Sequence, residues 1–137
     1  REEDLRRVNL ERVVMDESCQ FVLVGHSAPP EGMIHLKHQE LPFQELVNCA
    51  DIVVSKPGYG IVSECIANKT PLIYTNRQDF RESAKLIKAA KQYCNSAYLS
   101  RKAFMKGNWS KAIATVSEQQ GPQKKLAHTF SYVLVQV

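Results

Sequence analysis

No stretch of this sequence stays apolar long enough to cross a bilayer, which excludes a transmembrane helix. Nothing in it reads Gly-x-x-x-x-Gly-Lys-Ser/Thr, so the Walker phosphate loop is excluded as well. The four cysteines, Cys19, Cys49, Cys65 and Cys94, stand far apart with no Cys-x-x-Cys pair, which argues against a zinc ribbon. They read as reduced, mostly buried thiols of a cytosolic protein, and Cys65 and Cys94 have no base partner that would make them nucleophiles. His35 and His38 are too few for a metal site without nearby cysteine or acid partners, so no metal is expected. Excess charge is small too: 18 Lys and Arg against 14 Asp and Glu leave a scattered +4, which gives no case for nucleic acid. There is no internal repeat, low-complexity stretch or interdomain linker. The sequence opens at Arg1 with no signal-peptide pattern, and the expectation is a piece of a longer, cytoplasmic chain.

What is present suits one globular domain. The 137 residues are 44% hydrophobic and 23% charged, enough to bury a core. Apolar residues among charges predict a helix over about residues 2–15. Phe21-Val-Leu-Val24, Ile52-Val-Val54 and Leu72-Ile-Tyr74 are short solid runs, hence buried strands. Met33 to Leu36 is a candidate second strand and Ala97 to Leu99 a candidate edge strand. Helices are expected over 43–49, with Pro42 in the first turn, over 61–67, ending at Asn68-Lys69, and over 81–91. Ser100 is placed as the cap of a helical turn, and Asn108 or Ser110 as the cap of a helix running to about Glu118. Gly121-Pro122 breaks that helix, and the tail over 121–137 is open between helix and strand. Strands alternating with helices predict an α/β, Rossmann-like three-layer domain with a parallel sheet. Ligands of such sheets sit at the carboxyl ends of the strands, which directs attention to the loops after Val24, Val54 and Tyr74.

The loop after Val54 reads Ser55-Lys-Pro-Gly-Tyr-Gly60 and leads into a helix. Gly58 and Gly60 permit positive φ and a close approach to the backbone. The helix N-terminus offers N–H groups to a phosphate, with Lys56 as counter-charge. Ser63 and Glu64, expected in the first helical turn, suit the dipole there, and the Glu64 carboxylate can also accept two hydrogen bonds from a ribose diol. The same residues would equally serve as a glycine turn followed by a helix cap. A dinucleotide fingerprint fits less well. Ser63 stands where its third glycine belongs, and Tyr74-Thr75-Asn76 where its ribose acid belongs.

The block from Ala50-Asp51 through Gly58-Tyr-Gly60 and Ser63-Glu64 to Thr70-Pro71 and Tyr74 resembles the nucleotide-sugar-binding half of GT-B glycosyltransferases. It is most similar to the group of the peptidoglycan N-acetylglucosaminyltransferase. Gly58-Tyr-Gly-x-Val-Ser-Glu64, with Arg77 and Phe80-x-Glu82, resembles even more closely the glycosyltransferase-like region fused to some sugar kinases. The resemblance is specific from about Ala50 to Leu86, loose from Phe21 to Cys49 and absent in the tail. It implies one half of a GT-B fold: a partial or truncated carboxy-terminal, donor-binding domain over 1–137 that holds a nucleotide-diphosphate sugar, most naturally a UDP-sugar. Gly58, Tyr59 and Gly60 would lie near the diphosphate, and Glu64 would bind the ribose; Lys56, as counter-charge, and Ser63 complete the donor-binding residues of this segment. Arg77, Gln78, Arg81 and Glu82 would meet the diphosphate or sugar, and residues 36–41 would border the base. Arg81 and Glu82 stand where the transferase has paired glutamines. The family's general base belongs to a second Rossmann-like domain, so this chain carries no expected catalytic residue and would transfer a hexosyl group only with that partner. The alternative is a degenerate domain acting as a regulatory or interaction module.

Other features are expected to be structural. Tyr93, Tyr98, Phe104 and Trp109 are placed in the core. Lys85, Lys88 and Lys91 form a solvated helix face. Asn68-Lys-Thr70 and Asn108-Trp-Ser110 match the glycosylation pattern but read as a helix end and a helix cap.

Overall fold

A computed structural model describes residues 8–25, 29–37, 41–75, 83–119 and 131–136. The elements in chain order are α1 (Leu10–Val13), β1 (Cys19–Val24), β2 (Ile34–Leu36), α2 (Phe43–Cys49), β3 (Ile52–Ser55) and α3 (Tyr59–Asn68). There follow β4 (Leu72–Tyr74), α4 (Ser83–Tyr93), β5 (Ser96–Tyr98), α5 (Arg101–Lys106), α6 (Ser110–Glu118) and β6 (Ser131–Gln136). No helix among the described residues is long and apolar enough to cross a membrane.

The strands form one six-stranded, all-parallel sheet in the order β2-β1-β6-β3-β4-β5. Counted with β6 as the first strand, this order reads 3-2-1-4-5-6, the doubly wound arrangement. The last strand thus fills the centre, where that arrangement puts its first. Of the tail, the described residues Ser131–Gln136 form a strand, and residues 121–130 lie outside the described residues.

Alternation along the strands divides the interior in two. Phe21, Leu23, Val54, Ile73, Val133 and Val135 face a layer made by α1, α5 and α6. Val53, Leu72, Tyr74 and Leu134 face α2, α3 and α4. Helices therefore cover both faces, the three-layer α/β arrangement expected from the solid apolar strands. On the first side Trp109 is the anchor. Its ring stacks on Phe104 at 5.4 Å and meets Phe21 edge-on at 6.2 Å, and its indole N–H donates to the Phe104 carbonyl at 3.1 Å. Gly107 (φ 76°) turns the chain between α5 and α6, and a Cβ there would collide with the Asn9 carbonyl oxygen. That position needs glycine for both reasons.

The start of β6 is pinned by a buried aspartate. The Asp51 N–H donates to the Tyr132 carbonyl at 2.9 Å, and Asp51 Oδ2 accepts from the Tyr132 N–H at 2.7 Å. Gln119 completes the far edge of the sheet: its amide donates to the Ser96 carbonyl and accepts from the Ser96 N–H.

Several local expectations change. Helix α3 starts at Tyr59 instead of Ile61, and the left-handed residue at its end is Lys69 (φ 54°), not Asn68. Ser100 does cap α5, through its side chain to the Ala103 N–H. Neither Asn108 nor Ser110 caps α6, whose cap position is Trp109 with no side-chain bond. Phe104 and Trp109 are in the core, but Tyr93 and Tyr98 are about half exposed. Cys19, Cys65 and Cys94 are buried free thiols, whereas Cys49 is exposed. Lys85, Lys88 and Lys91 lie on an exposed face as expected.

Leu134→Ala should lower the unfolding free energy by about 2–5 kcal/mol in urea denaturation. A loss below about 0.5 kcal/mol, typical of a surface residue, would remove β6 from the centre. Burial pushes the Cys94 thiol up from 9.0 to about 11. The unfolded chain then gives up this proton first as the pH rises, so this group's contribution is intact below pH 9.0 and falls as the pH climbs towards about 11. Stability measured across that window should decline less steeply in Cys94→Ala than in the parent chain.

Candidate functional site

Because every strand is parallel, all the carboxyl ends lie on one edge. The register lines up one row across the full sheet there: Leu36, Val24, Gln136, Ser55, Tyr74 and Tyr98. Register partners share a face, and Val24 and Tyr74 place this row on the side of α2, α3 and α4. Its outer members are apolar or aromatic. Its two central members, Gln136 and Ser55, carry an amide and a hydroxyl.

Among the described residues, two buried oxygens on this edge have no hydrogen-bond partner: Gln136 Oε1 and, one residue past β4, Thr75 Oγ1. Thr75 is only 2% exposed. Ser55 is satisfied, its hydroxyl donating to the Lys56 carbonyl at 2.9 Å. Tyr74 and Tyr98 pack ring to ring at 5.7 Å, and burial, with Tyr98 adding a smaller effect, pushes the Tyr74 hydroxyl pKa above its ordinary value.

Beside Gln136 opens a cavity of about 450 Å³. Val24, Leu41, Pro42, Phe43 and Leu46 give it apolar walls, and Lys37 and Gln136 are its polar members. It is built where β1 and β6 end and α2 begins. A larger hollow of about 780 Å³ lies at the opposite edge, ahead of β1, among Arg12, Asp16, Glu17 and Lys111. Its mixed charges and its distance from the strand ends set it apart from the site.

The loop Ser55 to Gly60 lies one strand over from Gln136. Gly58 is extended (φ −141°) and Gly60 is helical, so neither uses the positive φ that glycine permits. A Cβ on Gly60 would meet nothing within 4 Å. Gly60 leaves open ground above the first turn of α3, where Tyr59 is exposed and no side chain caps the helix. The first-turn amides have no intrahelical acceptor by construction. Lys56 is partly buried at the end of β3. The earlier helix start shifts Ser63 and Glu64 into the second turn, so the dipole argument for them is withdrawn. Glu64 is partly buried, and its carboxylate accepts from Asn68 Nδ2 at 3.4 Å.

The structure thus brings together Lys56, Gly58, Tyr59 and Gly60 in one loop and helix start, with Ser63 and Glu64 one turn further along α3. Arg77, Gln78, Arg81 and Glu82 lie outside the described residues. No cluster of three or more His, Cys, Asp or Glu that could hold a metal occurs among the described residues. His35 is engaged structurally, a ring nitrogen lying 2.6 Å from the Gly25 carbonyl oxygen. Gln136 and Thr75 were missed from sequence. Each is the first polar residue after a solid apolar run, a signal that becomes usable once the run is known to be a parallel strand. Gly60→Ala should be tolerated and should raise the unfolding free energy by a few tenths to about 1 kcal/mol, read from the urea midpoint. A loss of stability would mean that the ground above Gly60 is occupied.

Comparison with family models, with curated proteins and with solved structures finds no match to this chain.

Proposed function

We propose that this domain binds a nucleotide-diphosphate sugar, a UDP-sugar in the first instance, as the donor half of a GT-B hexosyltransferase-like protein. One observation carries the reading. An apolar cavity and an open helix N-terminus lie on either side of the Gln136–Ser55 pair at the carboxyl edge of a doubly wound sheet. A nucleoside diphosphate needs that combination: a slot for a flat base next to a place for two phosphates.

In this reading the base enters the cavity beside Leu41, Pro42 and Phe43. The diphosphate lies over Gly58, Tyr59 and Gly60, where amides and the positive end of the helix dipole favour negative charge. Lys56 adds a cation on the same loop. Glu64, one turn along, accepts the ribose hydroxyls after giving up its long contact with Asn68. Ser63 stands beside it. Arg77, Gln78, Arg81 and Glu82, outside the described residues, are assigned to the diphosphate or the sugar by the resemblance alone. A leaving diphosphate is stabilised by fixed dipoles and cations without a metal being required. The base that deprotonates the acceptor comes from a second, Rossmann-like domain in a cytoplasmic protein. The domain alone binds donor and does not transfer it.

Calorimetric titration with UDP, GDP and NAD tests this. A nucleoside diphosphate should bind, and Glu64→Ala, with unchanged circular dichroism, should weaken it at least about tenfold through the lost hydrogen bonds to a charged acceptor. Unchanged affinity in the folded variant would remove Glu64 from the ribose. Failure of all three nucleotides to bind would leave the regulatory or interaction module as the function.

A further inference from the structure

We infer that Gln136 reads the base of the bound nucleotide: its side-chain oxygen accepts a hydrogen bond from the ring N–H of a uracil or guanine seated in the cavity beside it. The inference rests on the donor-binding reading above and adds to it the residue that sets base specificity.

The position comes from the topology. Gln136 ends the central strand, between Val24 of β1 and Ser55 of β3, with all three side chains on one face. It is the only uncharged polar side chain among the described residues that line the cavity. Its oxygen is buried and has no hydrogen-bond partner among the described residues. Neither neighbour in the row can serve it: Val24 has no donor, and the Ser55 hydroxyl hydrogen is committed to the Lys56 carbonyl. Buried acceptors in folded proteins are nearly always satisfied, and one left open on the wall of an apolar cavity marks a place where the occupant brings the donor. The remaining walls, Val24, Leu41, Pro42, Phe43 and Leu46, suit the flat faces of a heterocycle. These walls offer no side-chain hydrogen bond, and the Lys37 ammonium can only donate, so Gln136 supplies the side-chain acceptor for a ring N–H.

A site built around a hydrogen bond rejects the analogue that lacks it, because the buried group then stays unpaired. The test uses two matched pairs of probes, UDP with 3-methyl-UDP and GDP with 1-methyl-GDP, titrated into the parent chain and into Gln136→Met. Methionine keeps the volume and removes the acceptor. In whichever pair binds, methylation of the ring nitrogen should cost the parent chain about tenfold in affinity. Gln136→Met should lose about tenfold for the unmethylated nucleotide and show no further loss on methylation. Unfolding free energy of the ligand-free variant should not fall, since an unpaired buried polar group has been replaced by an apolar one. Binding with equal discrimination in parent and variant overturns the role of Gln136 and leaves the donor-binding reading intact. A parent chain that binds methylated and unmethylated nucleotides alike overturns it without recourse to the variant. If neither UDP nor GDP binds the parent chain, the donor-binding reading fails, and this inference fails with it.

Discussion

The sheet depends on one insertion: β6, from the far end of the described chain, lies between β1 and β3. Those two strands do not bond to each other. Each has one ladder to its own side, β1 to β2 and β3 to β4, and each finds its second ladder in β6. Strand edges buried in a domain must be paired, so β1 and β3 require a strand between them. β6 meets that need and also joins the two interior layers, with Val133 and Val135 on one side and Leu134 on the other. Asp51 fixes its register by bonding both the N–H and the carbonyl of Tyr132. A slip of one residue would turn Val133 and Val135 into the layer that holds Leu134.

This insertion also explains what could be read from the sequence. β1, β3 and β4 are solid apolar runs bounded by breakers, and local pattern sufficed for them, as it did for α2. β6 is an equally good run, Val133-Leu-Val135, but its partners are Cys19–Val24 and Ile52–Ser55. Nothing local separates such a run from a buried helical turn. Only the pairing decides, and pairing across the length of the chain leaves no trace in a short window. The doubly wound order was legible as a class, while its rotated form, with the last strand in the first strand's place, was not.

Smaller departures share one cause: local propensity yields to what lies next to the chain. Gly58 and Gly60 suggested a loop, yet α3 takes in Gly60 because Ile61, Val62 and Cys65 must reach the layer behind β3. Asn68 has the side chain that tolerates the left-handed region, but it spends its amide on the Glu64 carbonyl, and Lys69 makes the turn. Trp109 occupies the α6 cap position because its ring is claimed by Phe104 and Phe21, which overrides the better capping chemistry of Asn108 and Ser110. Tyr93 and Tyr98 have the same aromatic area but sit at a helix end and on an edge strand, where nothing covers them fully.

The candidate site follows the same division. The half made by Lys56 through Gly60 is contiguous, so loop and helix start could be read together. Its other half is assembled from strand ends that are remote in sequence: Val24, Gln136, Ser55, Tyr74 and Thr75 share an edge only because their strands share a direction. At that edge the ladders stop, and the polar residues that terminate the apolar runs lose the neighbours a sheet interior would supply. Ser55 recovers a partner in its own loop. Gln136 Oε1 and Thr75 Oγ1 find none among the described residues. The fold that buries the apolar runs therefore also leaves acceptor and donor capacity at their ends, beside the cavity and the open helix turn. In a parallel sheet the surplus collects on one edge, where a ligand can use it, instead of being divided between two.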